Sequence, residues 1–119
     1  MVKNNFKSKY NFECRLKESE KIKEKYEDRY PIIVYKDKKC TLPDITKSKF
    51  LAPGDLTMGQ FIFIIRKRIE LCEKETVFLF INENVLATGS ENVANIYNQY
   101  KDEDGFLYIS YCNENVFGK

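Results

Sequence analysis

The chain has no histidine and no tryptophan among its 119 residues, and only three prolines and five glycines. Without histidine, Ser-His and Cys-His nucleophilic centres cannot be assembled within the chain. The four cysteines, Cys14, Cys40, Cys72 and Cys112, are scattered with no C-x-x-C pair. They spell out no zinc set, and in a chain without a secretion signal they read as reduced cytosolic thiols, not as a disulfide framework. No structural metal and no cofactor is expected. Glycine-rich phosphate loops and nucleophile elbows are also missing. The first thirty residues are too polar for a signal peptide, and no apolar run approaches the length of a membrane span. These absences point away from an enzyme, a secreted protein and a membrane-spanning protein.

What is present suits one globular domain with its own core: 43% hydrophobic and 14% aromatic residues in a chain of this length. The net charge of +2 is unevenly placed. Residues 1–75 hold 18 basic and 12 acidic side chains, a balance of +6, whereas residues 76–119 hold 2 and 6, a balance of −4. The basic portion favours an acidic peptide, an anionic lipid surface or nucleic acid, or it is an ordinary solvated surface. No aromatic-basic RNA signature accompanies it, so no nucleic-acid partner is expected.

Periodicity places the elements. Residues 1–11 are basic and form a short helix or a mobile arm. Residues 12–26 read as a charged helix with a sparse apolar stripe at Phe12, Leu16, Ile22 and Tyr26. Residues 30–36 and 48–52 read as strands, the second stopped by Pro53-Gly54. Pro31 is tolerable at an early strand position, where it need not donate to the ladder. Residues 57–71 are a helix capped by Thr57, with Gln60 completing a capping box. Its stripe is Met58, Ile62, Ile65 and Ile69. Phe61, Phe63 and Ile64 widen it beyond the arc one sheet needs, which implies a partner groove. Residues 76–81 are a buried strand, and Val93, Ile96, Tyr97 and Tyr100 mark a short helix. Residues 106–111 are the last strand, with Leu107, Ile109 and Tyr111 on one face and Phe106 and Tyr108 on the other. This order predicts an α+β domain, a ubiquitin-like β-grasp with two additional N-terminal helices. Its expected parts are a helical extension packed on the core (1–29), the β-grasp core (30–116) and a C-terminal tail (117–119). The tail, Phe117-Gly118-Lys119, reads as one to be handled by other enzymes, because a residue without Cβ can pass a narrow active site.

The motifs Phe12-Glu13-x-Arg15, Glu20-Lys21-Ile22, Lys25-Tyr26-x-Asp28-Arg29, Pro31-Ile32-Ile33-Val34, Lys47-x-Lys49-Phe50-Leu51, Pro53-x-Asp55-Leu56-Thr57, Gly59-Gln60-Phe61, the basic run from Ile65 to Ile69 and the run from Asp102 to Ile109 stand in this order. Together with Phe117-Gly118 they resemble the autophagy-related ubiquitin-like modifiers, the autophagy-related protein eight family, and within it the GABA-receptor-associated protein branch. The resemblance covers residue 8 to the end.

The resemblance implies a pathway. A cysteine protease cuts between Gly118 and Lys119, activating and conjugating enzymes carry the Gly118 carboxylate, and phosphatidylethanolamine receives it. The protein is then a monomer found in the cytoplasm and, once lipidated, on membranes of autophagosomes or related vesicles. The alternative is a non-lipidated adaptor in vesicle or receptor trafficking. The resemblance also implies binding of aromatic-x-x-aliphatic motifs of cargo receptors beside the second strand. Glu18, Ile22, Pro31, Ile33, Lys49, Leu51 and Phe106 would line the aromatic pocket. Phe50, Ala52, Pro53, Leu56, Phe61, Ile64 and Ile65 would line the aliphatic one. Arg29, Lys47 and Arg68, with Lys49, would meet acidic flanking residues. The chain departs from the family pattern at Tyr30, where a β-branched residue is usual, at Ala52, where a larger aliphatic is usual, and at Glu27, where proline is common. The first departure implies a reshaped aromatic pocket and the second a deeper aliphatic one.

Overall fold

The structure, a computed structural model, describes residues 5–71 and 74–113. The elements are α1 (Asn5–Lys9), α2 (Phe12–Lys25), β1 (Arg29–Lys36), β2 (Lys49–Pro53), α3 (Met58–Arg68), β3 (Phe78–Ile81), β4 (Val85–Leu86), α4 (Val93–Tyr100) and β5 (Leu107–Cys112). The strands form one mixed sheet in the order β2-β1-β5-β3-β4, in which β1 and β5 are parallel and the other pairs antiparallel. This is the expected α+β ubiquitin-like arrangement. None of the described helices is long and apolar enough to cross a membrane.

Alternation along the strands divides the apolar residues between two faces. Leu107, Ile109 and Tyr111 join Ile32, Val34, Phe50, Ala52, Met58, Phe61 and Ile65 in the main core, which α3 and α4 cover. On the opposite face Ile33, Phe106 and Tyr108 form a smaller cluster, against which Phe6 and Ile22 pack from α1 and α2. The helix starts follow local chemistry. Thr57 Oγ1 accepts the Gln60 N–H at 3.1 Å and Gln60 Oε1 accepts the Thr57 N–H at 2.9 Å, the reciprocal box expected. Asn11 and Asn92 cap α2 and α4 in the same way with one bond each.

Three expectations need correction. Phe12 and Tyr26 do not belong to a buried stripe of α2; both are about two-fifths exposed. The fully buried residues of that helix are Arg15 and Ser19, so it docks through polar contacts beside the apolar contact of Ile22. In α3 the buried set is Met58, Phe61 and Ile65, with Ile69 just beyond, and Ile62 is only half-buried. The strand β4 was not foreseen. It pairs with β3 across the turn Ile81-Asn82-Glu83-Asn84, closed by Asn84 N–H on Ile81 O at 3.2 Å. Asn82 and Glu83 hold φ of 51° and 68°, the type I′ geometry that suits right-twisted hairpins. The usual second residue is glycine, and here Glu83 stands in its place.

Candidate peptide-binding edge

β2 is an edge strand, and no described strand pairs with its outer side. Its register with β1 runs from Arg29 opposite Pro53 to Ile33 opposite Lys49, and Val34 N–H donates to Ser48 O at 2.8 Å. In an antiparallel pair, bonded and non-bonded residue pairs alternate. Phe50 and Ala52 therefore bond inward to Ile32 and Tyr30. Lys49 and Leu51 turn their backbone N–H and C=O outward. Pro31 stands opposite Leu51, where no cross-strand bond forms, so its missing N–H costs the β1–β2 ladder nothing. On its other side the pairing with β5 begins only at Ile32. Two arginines cover the exposed edge: Arg29 donates to Leu51 O at 3.3 Å and Arg68 to Lys47 O at 3.2 Å. Arg68 also stacks over the Phe50 ring, 4.6 Å from its centroid.

The residues expected to line the aromatic pocket come together on the α2 face of this edge. Ile22, Ile33 and Phe106 belong to the smaller cluster. Pro31 and Leu51 are cross-strand neighbours, and Lys49 forms an ion pair with Glu18 across the gap from β2 to α2. Ile33 and Phe106 are buried floor; Glu18, Ile22 and Leu51 are half-buried. Phe50, Ala52, Phe61 and Ile65 lie on the other face, within the main core, and Leu56 and Ile64 pack on its margin. Pro53 ends β2 half-buried, and Lys47 and Arg29 are exposed.

Tyr30 does not shape the α2 face. Its ring packs edge-on against Tyr97 at 5.0 Å, and it pairs across the strands with Ala52. The unusually large residue thus stands directly opposite the unusually small one. Glu27 lies in the exposed turn before β1.

Sequence reasoning missed four residues of the aromatic side. A cavity of about 240 Å³ beside the Glu18–Lys49 pair is lined also by Phe6, Lys9, Tyr10 and Ser48. Phe6 meets Phe106 edge-on at 4.9 Å and Tyr10 at 5.3 Å. The i, i+4 spacing of Phe6 and Tyr10 was the available signal.

α2 is held over this face by a buried polar knot. Asp104 is fully buried. Its carboxylate accepts Arg15 Nε at 2.7 Å, Tyr108 Oη at 2.5 Å and the Phe106 N–H at 2.9 Å. Ser19 Oγ donates to Asp104 O at 2.5 Å, and Arg15 donates to Tyr10 O at 2.7 Å. Burial works to lower the Arg15 pKa, but the bond to Asp104 and the surrounding negative charge outweigh it, and the net direction is up. Burial, then the bond to Asp104, pushes the Tyr108 hydroxyl well above its ordinary value. Arg15, Tyr108 and the Phe106 N–H are thus the donors of the knot, and the Asp104 side chain is their shared acceptor. No group of three or more cysteine, aspartate or glutamate side chains suited to a metal occurs among the described residues. Gly118 and Lys119, the expected conjugation and cleavage positions, lie outside the described residues.

Residues 14–118 match the family model described as autophagy protein Atg8, ubiquitin-like. The chain is 48% identical to autophagy-related protein 8 of Kluyveromyces lactis, over 98% of this chain and 94% of that one. It is 50% identical to autophagy-related protein 8e of Arabidopsis thaliana, over 95% and 92%. The crystal structure of ATG8 from Trypanosoma brucei superposes with a TM-score of 0.88 at 38% identity, covering 93% of this chain and 95% of that one.

Proposed function

Because this chain belongs to the Atg8 family of autophagy-related ubiquitin-like proteins, we propose that it acts as a modifier and adaptor, not as an enzyme. Residues 1–29 serve as a helical extension, 30–116 as the core and 117–119 as the conjugation tail. A cysteine protease removes Lys119, activating and conjugating enzymes carry the Gly118 carboxylate, and the amine of phosphatidylethanolamine receives it. The family match running to Gly118 supports this assignment. A single myristoyl chain holds a protein only marginally, at about 0.8 kcal/mol per buried methylene. The two acyl chains of a phospholipid hold it firmly, and hydrolysis of the amide returns it from autophagosomal membrane to cytoplasm.

The adaptor role rests on one observation: the outward N–H and C=O groups of Lys49 and Leu51 on β2 meet no described strand, only the Arg29 side chain on Leu51 O, which an added peptide would displace, and one set of apolar side chains lies on each side of the strand. An added peptide strand takes those backbone groups. Side chains alternate along a strand, so residues three apart point to opposite faces, about 10 Å apart along the chain. An aromatic-x-x-aliphatic peptide therefore sends its aromatic ring toward Glu18, Ile22, Lys49 and Phe106. Its aliphatic side chain goes toward Leu56, Phe61 and Ile64. Arg29, Lys47 and Arg68 steer acidic flanks, more for register and encounter than for affinity.

Calorimetry with such a peptide tests the reading. Leu51→Ala is expected to weaken binding about tenfold, near 1.4 kcal/mol, with the thermal midpoint little changed. Unchanged affinity removes Leu51 from the site. For the tail, Gly118→Ala is expected to abolish lipid-linked protein and membrane puncta in cells. Mass spectrometry finding wild-type Gly118 without phosphatidylethanolamine during autophagy would overturn the conjugation step.

A further inference from the structure

The end of β5 and the loop after β1 are laced together by hydrogen bonds. Asp37 N–H donates to Tyr111 O at 2.9 Å, and the Tyr111 hydroxyl donates to Pro43 O at 2.6 Å. Thr41 N–H donates to Asn113 Oδ1 at 3.3 Å, and Asn113 Nδ2 donates to Thr41 Oγ1 at 2.6 Å. Two thiols sit among these bonds. Cys40 is 8% exposed and Cys112 is fully buried. Cys40 Sγ accepts the N–H of Leu42 at 3.4 Å, and Cys112 Sγ lies 3.8 Å from Asn113 Oδ1, the oxygen that also accepts the N–H of Thr41, the residue after Cys40. The two residues are 72 positions apart in sequence, and the fold alone makes them neighbours. Packing does not require sulfur here, because a free cysteine fills a core as a small hydrophobe. What two adjacent thiols add is chemistry.

We propose that Cys40 and Cys112 are a dithiol that a peroxide converts to a reversible disulfide, fastening the loop after β1 to the last residue of β5. Cys40 carries the residual exposure, so its thiolate attacks one oxygen of hydrogen peroxide. The O–O bond breaks, sulfur keeps that oxygen as sulfenic acid, and the departing hydroxide takes a proton to leave as water. The Cys112 thiolate then attacks the sulfenic sulfur. The S–S bond forms, the S–O bond breaks and a second water leaves. Two thiols have lost two electrons and two protons, and one peroxide has become two waters. Burial pushes the Cys40 thiol up, and the Leu42 N–H offsets part of that shift. The thiolate fraction at neutral pH is small, so the pair answers sustained oxidant slowly instead of reacting at once.

The test uses the full chain carrying Cys14→Ser and Cys72→Ser, exposed to hydrogen peroxide near pH 8, alkylated, and digested without reductant. Mass spectrometry is expected to show a product two hydrogens lighter, with the Cys40 and Cys112 peptides joined. Dithiothreitol should reverse it. Closing so long a loop should raise the thermal midpoint by roughly 5–15 °C. With Cys112→Ser added, the link should vanish and Cys40 should pass on to sulfinic acid. The proposal is overturned when both thiols of the folded protein stay alkylatable, or when each is oxidised separately without a link. The link is read directly in a protein that keeps both residues, so a poorly folding Cys112→Ser variant does not weaken the test.

Discussion

Replacing Asp104 with asparagine probes what holds α2 to the sheet. The substitution preserves shape but removes the charge that three donors converge on. Arg15 Nε, Tyr108 Oη and the Phe106 N–H all point at the two carboxylate oxygens, at 2.7, 2.5 and 2.9 Å. An amide offers one oxygen and one NH2, so at least one of those donors would face another donor. The Arg15 side chain is only 11% exposed and Asp104 is not exposed at all. Removing one partner of a buried pair strands the other charge, which costs about 3–5 kcal/mol. For a domain of this size the thermal midpoint should fall by roughly 10–20 °C. The assay is urea unfolding followed by circular dichroism, together with a double-mutant cycle. Arg15→Met removes the stranded charge, so the double variant should be more stable than Asp104→Asn alone, with a coupling above about 1 kcal/mol. Peptide binding should weaken as well, because α2 carries Glu18 and Ile22. A loss under about 1 kcal/mol for Asp104→Asn, or no rescue by Arg15→Met, would refute the account of the knot.

Three further outcomes follow from local geometry. Gly105 holds φ at +88°, and an added Cβ would lie 2.2 Å from Ser19 Oγ; Gly105→Ala should cost roughly 2–4 kcal/mol, and Ser19→Gly should restore only the steric share when thermal unfolding is measured. Thr57→Ala breaks the capping box of α3 and should cost about 1 kcal/mol, visible in denaturant midpoints, whereas Thr57→Ser should be nearly silent. Lys7 ties α1 to Asp102 at 2.9 Å. Burial alone would raise the Asp102 carboxyl, but the bonds from Lys7 and the Asp104 N–H outweigh it, and it titrates below the ordinary 3.8. A depressed folded value means this tie contributes fully above the ordinary value and is lost as pH falls through the folded one. Resonances of Phe6 should therefore shift toward those of a detached helix only below about pH 4; release at pH 5 to 6 would contradict the assignment.

The helices α3 and α4 were legible in the sequence because their caps and apolar spacing act within one or two turns. The two faces of β5 were legible because alternation needs no partner to be read. The strand β4 was not, since it is only two residues long, too short for alternation to show. The docking face of α2 was misread for a different reason. An apolar stripe was sought, while the helix is anchored by Arg15 and Ser19 to an aspartate 89 and 85 positions away. In the candidate site the family motifs named the aromatic set, of which Ile22, Ile33 and Phe106 pack together. Phe6, Lys9, Tyr10 and Ser48 were not legible, because their place beside the Glu18–Lys49 pair depends on where α1 lands.

The order of residues alone determined the family, the types of the longer elements from α2 onward, the absence of histidine chemistry and the glycine near the end of the chain. Each depends on residue identity or on spacing within a few positions. The tertiary structure decided which edge of the sheet stays open, which backbone groups of β2 face outward, that Asp104 gathers three donors, and that Cys40 and Cys112 share one core. Those outcomes depend on strand register and on contacts between residues far apart in the chain. Such contacts are set by the burial of the whole core, and no local window of sequence records them.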